Sequence, residues 1–189
     1  YFTLNKNWTV EPRAALKWTF NPKHALALAY GLHSRRERLD YYFVEQEVNG
    51  KTESNRYLNF SKAHHFGLTY DWNINSYMHL KVEPYYQYLF RIPVEENSSF
   101  SIINHQSFYL ERILKNRGSG VNYGIDITLE QYMKNGFYYM ITASLFKSRY
   151  KAGDHIWRNT RLDKNYLLNV LAGKEWMVGR NKQNVLSLN

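Results

Sequence analysis

Val121-Asn122-Tyr123-Gly124-Ile125-Asp126-Ile127-Thr128-Leu129-Glu130 is the stretch from which the fold is read. Its odd positions are apolar or aromatic, and its even positions are polar or glycine. Successive side chains of a strand point to opposite faces, so this period of two sets Val121, Tyr123, Ile125, Ile127 and Leu129 against Asn122, Gly124, Asp126, Thr128 and Glu130. One face suits lipid and the other water.

Working outward, the same alternation marks strands near residues 9–20, 25–44, 63–72, 77–93, 121–132, 137–151, 166–178 and 185–188. Between 77 and 93, Met78, Leu80, Val82, Pro84, Tyr86, Tyr88 and Phe90 oppose His79, Lys81, Glu83, Tyr85, Gln87 and Arg91. The seventh strand fits least well, since Leu167, Leu171 and Met177 share a face with Asn169 and Glu175. Short polar turns at 21–24, 73–76, 133–136 and 179–184 alternate with long polar segments at 45–61, 95–118 and 152–165. Transmembrane β-barrels have short periplasmic turns and long outer loops, and girdles of aromatic rings at the interfaces. Trp18, Phe20, Tyr70, Trp72, Tyr77, Tyr132, Phe137, Tyr138 and Trp176 cluster at the short-turn ends as such a girdle requires. The expectation is an all-β, antiparallel, up-and-down transmembrane barrel segment of about eight strands. A half-exposed soluble sheet alternates in the same way.

Composition narrows the field. Aromatic residues make up 17% of the 189 residues, with Tyr 17 among them. The absence of cysteine excludes a disulfide scaffold, a thiolate metal site and a cysteine nucleophile. The longest apolar run, residues 25–32, is far shorter than the roughly 20 residues of a membrane helix, so a bilayer would be crossed by strands. A formal charge of +9 points to anionic lipid headgroups, an acidic ligand or nucleic acid. Most basic residues lie in or beside the long segments, which favours the first two.

Chemistry-bearing motifs are weak. Gly118-Ser119-Gly120 precedes a strand, whereas a dinucleotide fingerprint follows one, so it reads as a tight loop-to-strand junction. His64 and His65 are adjacent on a strand, point to opposite faces and cannot share a metal. Glu83, Asp126 and Glu130 share polar faces and read as lumen-lining charges paired with Arg13, Lys17 and Lys81 rather than as catalytic carboxylates. With no nucleophilic serine motif, no phosphate loop and no ligand spacing for a metal, neither an enzyme nor a cofactor is expected. The stretch Lys147, Arg149, Lys151, Arg158, Arg161 and Lys164, interleaved with Tyr150 and Trp157, reads as an outer loop facing lipopolysaccharide or an anionic ligand, in preference to nucleic acid.

Several phrases occur in a telling order: Glu11-Pro12-Arg13, Ala29-Tyr30-Gly31, Glu83-Pro84-Tyr85-Tyr86-Gln87 with Pro93-Val94, Gly120-Val121-Asn122-Tyr123-Gly124, Tyr138-Tyr139 leading to Ser144-Leu145-Phe146, Arg158-Asn159-Thr160, and Gly173-Lys174-Glu175. Together they resemble the later barrel strands of TonB-dependent outer-membrane receptors of the Bacteroidetes type. The resemblance implies a barrel of about 22 strands plugged by an amino-terminal domain. It also implies active import of a siderophore, vitamin or glycan, driven through the plug by the TonB complex, in the bacterial outer membrane. Residues 1–189 would be one segment of that barrel, an excerpt lacking the plug and the last strands. A surface lipoprotein partner is left open.

The family fixes no ligand residues by motif, so candidates come from strand geometry. For the lumen wall these are Arg13, Lys17, His79, Lys81, Glu83, Gln87, Asp126 and Glu130, and for capture at the loops Trp157, Arg158 and Arg161. The competing readings are a porin-like or adhesin-like passive barrel and a soluble carbohydrate-binding β-domain.

Overall fold

The structure, a computed structural model, describes residues 1–189 except Asn49 and Lys182, with the backbone alone at Val48. Those two residues fall in segments read above as the outer segment 45–61 and the turn 179–184, and lie outside the described residues. Eight strands pair antiparallel in sequence order: β1 (Arg13–Asn21), β2 (His24–Arg35), then β5 (Ser61–Asn75), β6 (Met78–Val94), β7 (Lys115–Lys134), β8 (Phe137–Lys151), β10 (Tyr166–Val178) and β11 (Asn184–Leu188). A short hairpin, β3 (Glu45–Val48) and β4 (Lys51–Ser54), stands apart in the first outer segment, and β9 (Trp157–Asn159) extends the edge of β8. The sheet is an open wall. Among the described residues β1 pairs only with β2, and β11 only with β10.

Register sorts the side chains as the alternation requires. Leu28, Leu68, Pro84, Ile125, Leu145 and Tyr166 form one row across six strands, with parallel rows of Leu26, Tyr70, Val82, Ile127 and Ala143 beside it. Among the described residues no second layer packs on this outward face, where Leu16 is 70% exposed, Leu145 57% and Val170 65%. The inward face carries Thr69, Glu83, Asp126 and Ser144, with Leu167, Asn169 and Leu171 continuing it on β10. The awkward seventh strand therefore does place leucines on the wet side.

At the short-turn end, Trp18 meets Phe20 edge-on at 4.7 Å, and the His24 ring stacks on Tyr70 and Trp72. A second aromatic row, not read from the sequence, crosses the outer end through Tyr30, Phe66, Tyr86 and Tyr123. From Trp72 to Phe66 the strand climbs about 20 Å at ~3.4 Å per residue, a span of the order of an outer-membrane apolar band.

Turn chemistry agrees with turn length. The Asn21 carboxamide oxygen accepts the amides of Lys23 and His24, and that of Asn75 accepts the amide of Tyr77. Asn135 and Gly136 both have positive φ, +53° and +71°, which the favoured two-residue hairpin turn demands. Pro84 is unusual, because it sits in β6 between two partner strands although it has no N–H to give. Leu68 and Thr69 have no ladder partner in β6 there, although the register resumes unshifted at Gly67–Tyr85 and Tyr70–Val82.

Three boundaries depart most from the sequence reading, while the third strand runs Ser61–Asn75 where the alternation marks 63–72. The second strand ends at Arg35 instead of 44, because residues 39–43 wind into a 3-10 turn that buries Tyr41 and Tyr42. The first begins at Arg13 instead of 9, after Pro12. β7 begins at Lys115, so Gly118-Ser119-Gly120 lies inside a strand and is not a junction. A Cβ on Gly118 would lie 2.4 Å from Val94, and the glycine lets β7 run close under the end of β6.

The buried core lies beyond the middle of the sheet, at its outer end. Tyr41, Tyr42, Leu58, Ile92, Ile102, Leu110 and Leu114 pack together where the first two outer segments meet. Fully buried Asn55 joins them: its carboxamide nitrogen donates to the Arg112 carbonyl at 2.8 Å, and its oxygen accepts the Leu114 amide at 2.7 Å. The outer segments thus form a folded cap.

Candidate functional site

Inward-facing residues at the outer end of β6, β7 and β8 meet the cap from below. Ile103 of the second outer segment lies over Gly120 and Leu89, and Val94, Tyr150 and Ala152 pack beside it. Between cap and wall lies an open cleft of about 400 Å³ walled by Tyr85, Gln87, Asp126, Phe146, Lys147 and Leu162. A tighter space of about 170 Å³, against Leu89, Ile103, Asn104, Gln106, Arg149, Thr160 and Arg161, shares Asn122, Ser148 and Leu162 with it.

A directional chain of hydrogen bonds runs along this site. The Thr160 hydroxyl donates to Ser148 at 2.8 Å, Ser148 donates to the Asn122 carbonyl oxygen at 2.6 Å, and the Asn122 amide donates to the Gln87 oxygen at 3.1 Å. The chain fixes each group's orientation and leaves the Gln87 amide hydrogens as outgoing donors in a cleft that Asp126 also lines. Aromatic faces on Tyr85 and Phe146 with fixed amides and one carboxylate suit a polar ligand with apolar surface.

The segment after β9 is anchored on β8. Asp163 accepts the Ser148 amide at 3.1 Å in place of a strand carbonyl, and Thr160 donates its amide to the Ser148 carbonyl at 2.9 Å. Arg158 forks onto Asp154 at 2.8 and 2.5 Å. This hydrogen bonding holds the Asp154 carboxyl below the usual carboxylate range. At the opposite flank the Ser34 side chain and amide both donate to Glu11 and lower its carboxyl likewise.

Of the residues expected at the site, Gln87, Asp126 and Arg161 line the cleft. Glu83, directly opposite Asp126 on the inward wall, accepts from Thr69 at 3.2 Å and pairs with Lys81 at 2.8 Å. His79 lies 3.3 Å from Asp71 and opposite Glu130, near the inner end. Arg13 pairs with Glu11 and borders a separate hollow with His33 and His65, while Lys17 stands opposite Ala27. Arg158 is committed to Asp154. Trp157 is set apart, packed outward against Arg149 and Lys151 at 5.8 and 5.6 Å. Sequence reasoning missed Tyr85, Asn122, Phe146, Ser148 and Thr160 as site residues. Asn122 carried a signal in its alternation, and Thr160 and Leu162 carried none.

No protein-family model matches the chain, and no curated protein matches it. Among solved structures, the closed form of the ferric-catecholate import receptor Fiu from K12 E. coli superposes with a TM-score of 0.62 at 8% identity. That match covers 89% of this chain and 22% of Fiu. The FrpB iron transporter from Neisseria meningitidis gives 0.57 at 11%, over 90% of this chain and 24% of its own. The fold is that of a TonB-dependent receptor's barrel wall. At these identities the likeness concerns the fold, and the chain spans less than a quarter of either neighbour.

Proposed function

We propose that this chain is part of the wall of a TonB-dependent importer of the Bacteroidetes type in a bacterial outer membrane, with a transport and not a catalytic role. The reading rests on one sheet serving two environments: an uncovered apolar band between two aromatic rows faces outward, and a hydrogen-bonding cleft under a folded cap faces inward. A soluble sheet would leave that band in water at a cost of about 25 cal/mol per Å². Strands β1 and β11 each keep one free edge, which supports a wall continued by further strands to about 22, around a plug that lies outside residues 1–189.

The substrate enters beneath the cap and exchanges its water for the Gln87, Asn122 and Asp126 groups. Its occupancy is sensed by the plug, and pulling by the TonB complex opens the path inward. Among siderophore, vitamin and glycan, the fold neighbours named for ferric-catecholate import and iron transport favour an iron chelate. Lipopolysaccharide surrounds the wall, and a surface lipoprotein above the cap is compatible with it.

The test uses single cysteines in the full-length parent. Ser99 is exposed on the cap and Ser76 in a short turn. With Ser99→Cys and Ser76→Cys, an impermeant maleimide on intact cells is expected to label position 99 alone. Labelling of both, or of neither when lysed cells label at both, overturns the topology. Uptake that survives loss of the TonB complex overturns active import in favour of a passive pore.

A further inference from the structure

The outward face changes chemistry above the outer aromatic row. The first row above it contains Leu32, His64, Tyr88, Val121, Arg149 and Asn159, and the next contains Ser34, Lys62, Phe90, Ser119, Lys151 and Trp157. Neither row holds a carboxylate. Among the described residues Lys62, Arg149 and Lys151 form no ion pair, whereas Lys147, one row lower, has Asp163 at 3.6 Å. Arg149 and Lys151 are about 7 Å apart along β8, and Lys62 lies three strands away, about 14 Å across the sheet. Both β8 cations converge on the Trp157 ring. Like charges so placed repel one another, and an anion from outside the protein between them would relieve that repulsion.

Next to this cationic rim lies an apolar hollow. Tyr30, His64, Phe66, Tyr86 and Tyr88, all on outward positions of β2, β5 and β6, line an open cleft of about 590 Å³. Tyr30 and His64 Nδ1 are hydrogen bonded at 3.0 Å, and the His64 ring stacks on Phe90 at 5.0 Å, so the histidine presents a ring face to the hollow with one nitrogen already engaged. Cations above an apolar furrow, at the height where the sheet leaves the membrane, match a phosphorylated lipid lying against the wall.

We propose that this patch is a binding site for lipopolysaccharide of the outer leaflet, with a phosphate held by Arg149 and Lys151, Lys62 reaching the same headgroup across the sheet, and an acyl chain in the Tyr30–His64–Tyr88 furrow. The site rests on the outward orientation argued above. Its lipid-facing groups lie on the outward rows of the sheet, and Arg149 alone also borders the smaller space beneath the cap, its carbonyl turned toward Gly120.

The test is made on the full-length protein extracted from outer membranes in mild detergent, by measuring the lipopolysaccharide retained per protein. Replacing Lys62, Arg149 and Lys151 together by Gln is expected to weaken retention by on the order of a hundredfold, at roughly fivefold per cation. Lys23→Gln, at an inner turn, is expected to retain as much as the parent. In nanodiscs the parent is expected to prefer lipopolysaccharide over its dephosphorylated form, which keeps the proposal testable if the triple variant does not fold. Excess inorganic phosphate is expected to leave the glycolipid in place. Unchanged retention by a folded triple variant, equal binding of the dephosphorylated form, or displacement by free phosphate each overturns the site. Failure here with labelling confined to Ser99→Cys removes the lipid site alone, whereas labelling at both cysteines removes the orientation on which it depends.

Discussion

Asp154 and Arg158 set the pH behaviour of the third outer segment. The forked bond holds the Asp154 carboxyl below its usual range, so its folded-state value lies under the unfolded one. Such a group stabilises fully above the unfolded value of about 4, and the contribution is lost as pH falls through the folded value. The hydrogen-exchange protection factors of residues 152–165 in the parent, taken relative to the intrinsic rate at each pH, are therefore expected to be highest at neutral pH and to fall as the medium is acidified below about pH 4. Asp154→Asn is expected to show the lowered protection already at neutral pH. Protection factors identical in parent and variant at every pH would refute the assignment. The pair also explains why Arg158, attractive for ligand capture in the sequence, has little left to offer a ligand: its fork is filled.

At the scale of elements, the cap depends on one buried carboxamide. Asn55→Ala leaves the Leu114 amide and the Arg112 carbonyl without their partner, which is expected to cost about 1–3 kcal/mol of cap stability. Limited proteolysis on intact cells is expected to cut between residues 95 and 114 in the variant while the strands stay protected. The strands themselves were legible: β8 and β10 begin and end where the alternation does, and β6 lies within one residue of its reading. The reading overran β2 because Tyr41, Tyr42, Phe43 and Val44 prolong an aromatic, β-forming run, and only packing against Leu58 and Leu110 shows them as a 3-10 turn. The cleft was half legible for the same reason. Strand parity gives the wall residues Gln87, Asn122 and Asp126, but the roof comes from contacts about 57 residues apart, such as Asn104 accepting the Arg161 amide. Local pattern carries no record of such contacts.

For the whole molecule, adjacent residues of β7 should tell the two environments apart. Ile127→Arg puts a charge on the apolar band, expected to cost roughly 2–4 kcal/mol near the bilayer midplane, whereas Thr128→Arg enters the wet side at little cost. Outer-membrane yield and heat-modifiable gel mobility are expected to fall for the first and persist for the second, and equal losses would contradict a membrane-spanning wall. The proline in β6 bears on how that wall would fail under load. Where Leu68 and Thr69 lack ladder partners, the sheet is perforated like a sheet of stamps. Tension across the barrel would concentrate at that line, so the β5–β6 boundary is where tearing starts, and Pro84→Val is the repair that would move the tear elsewhere.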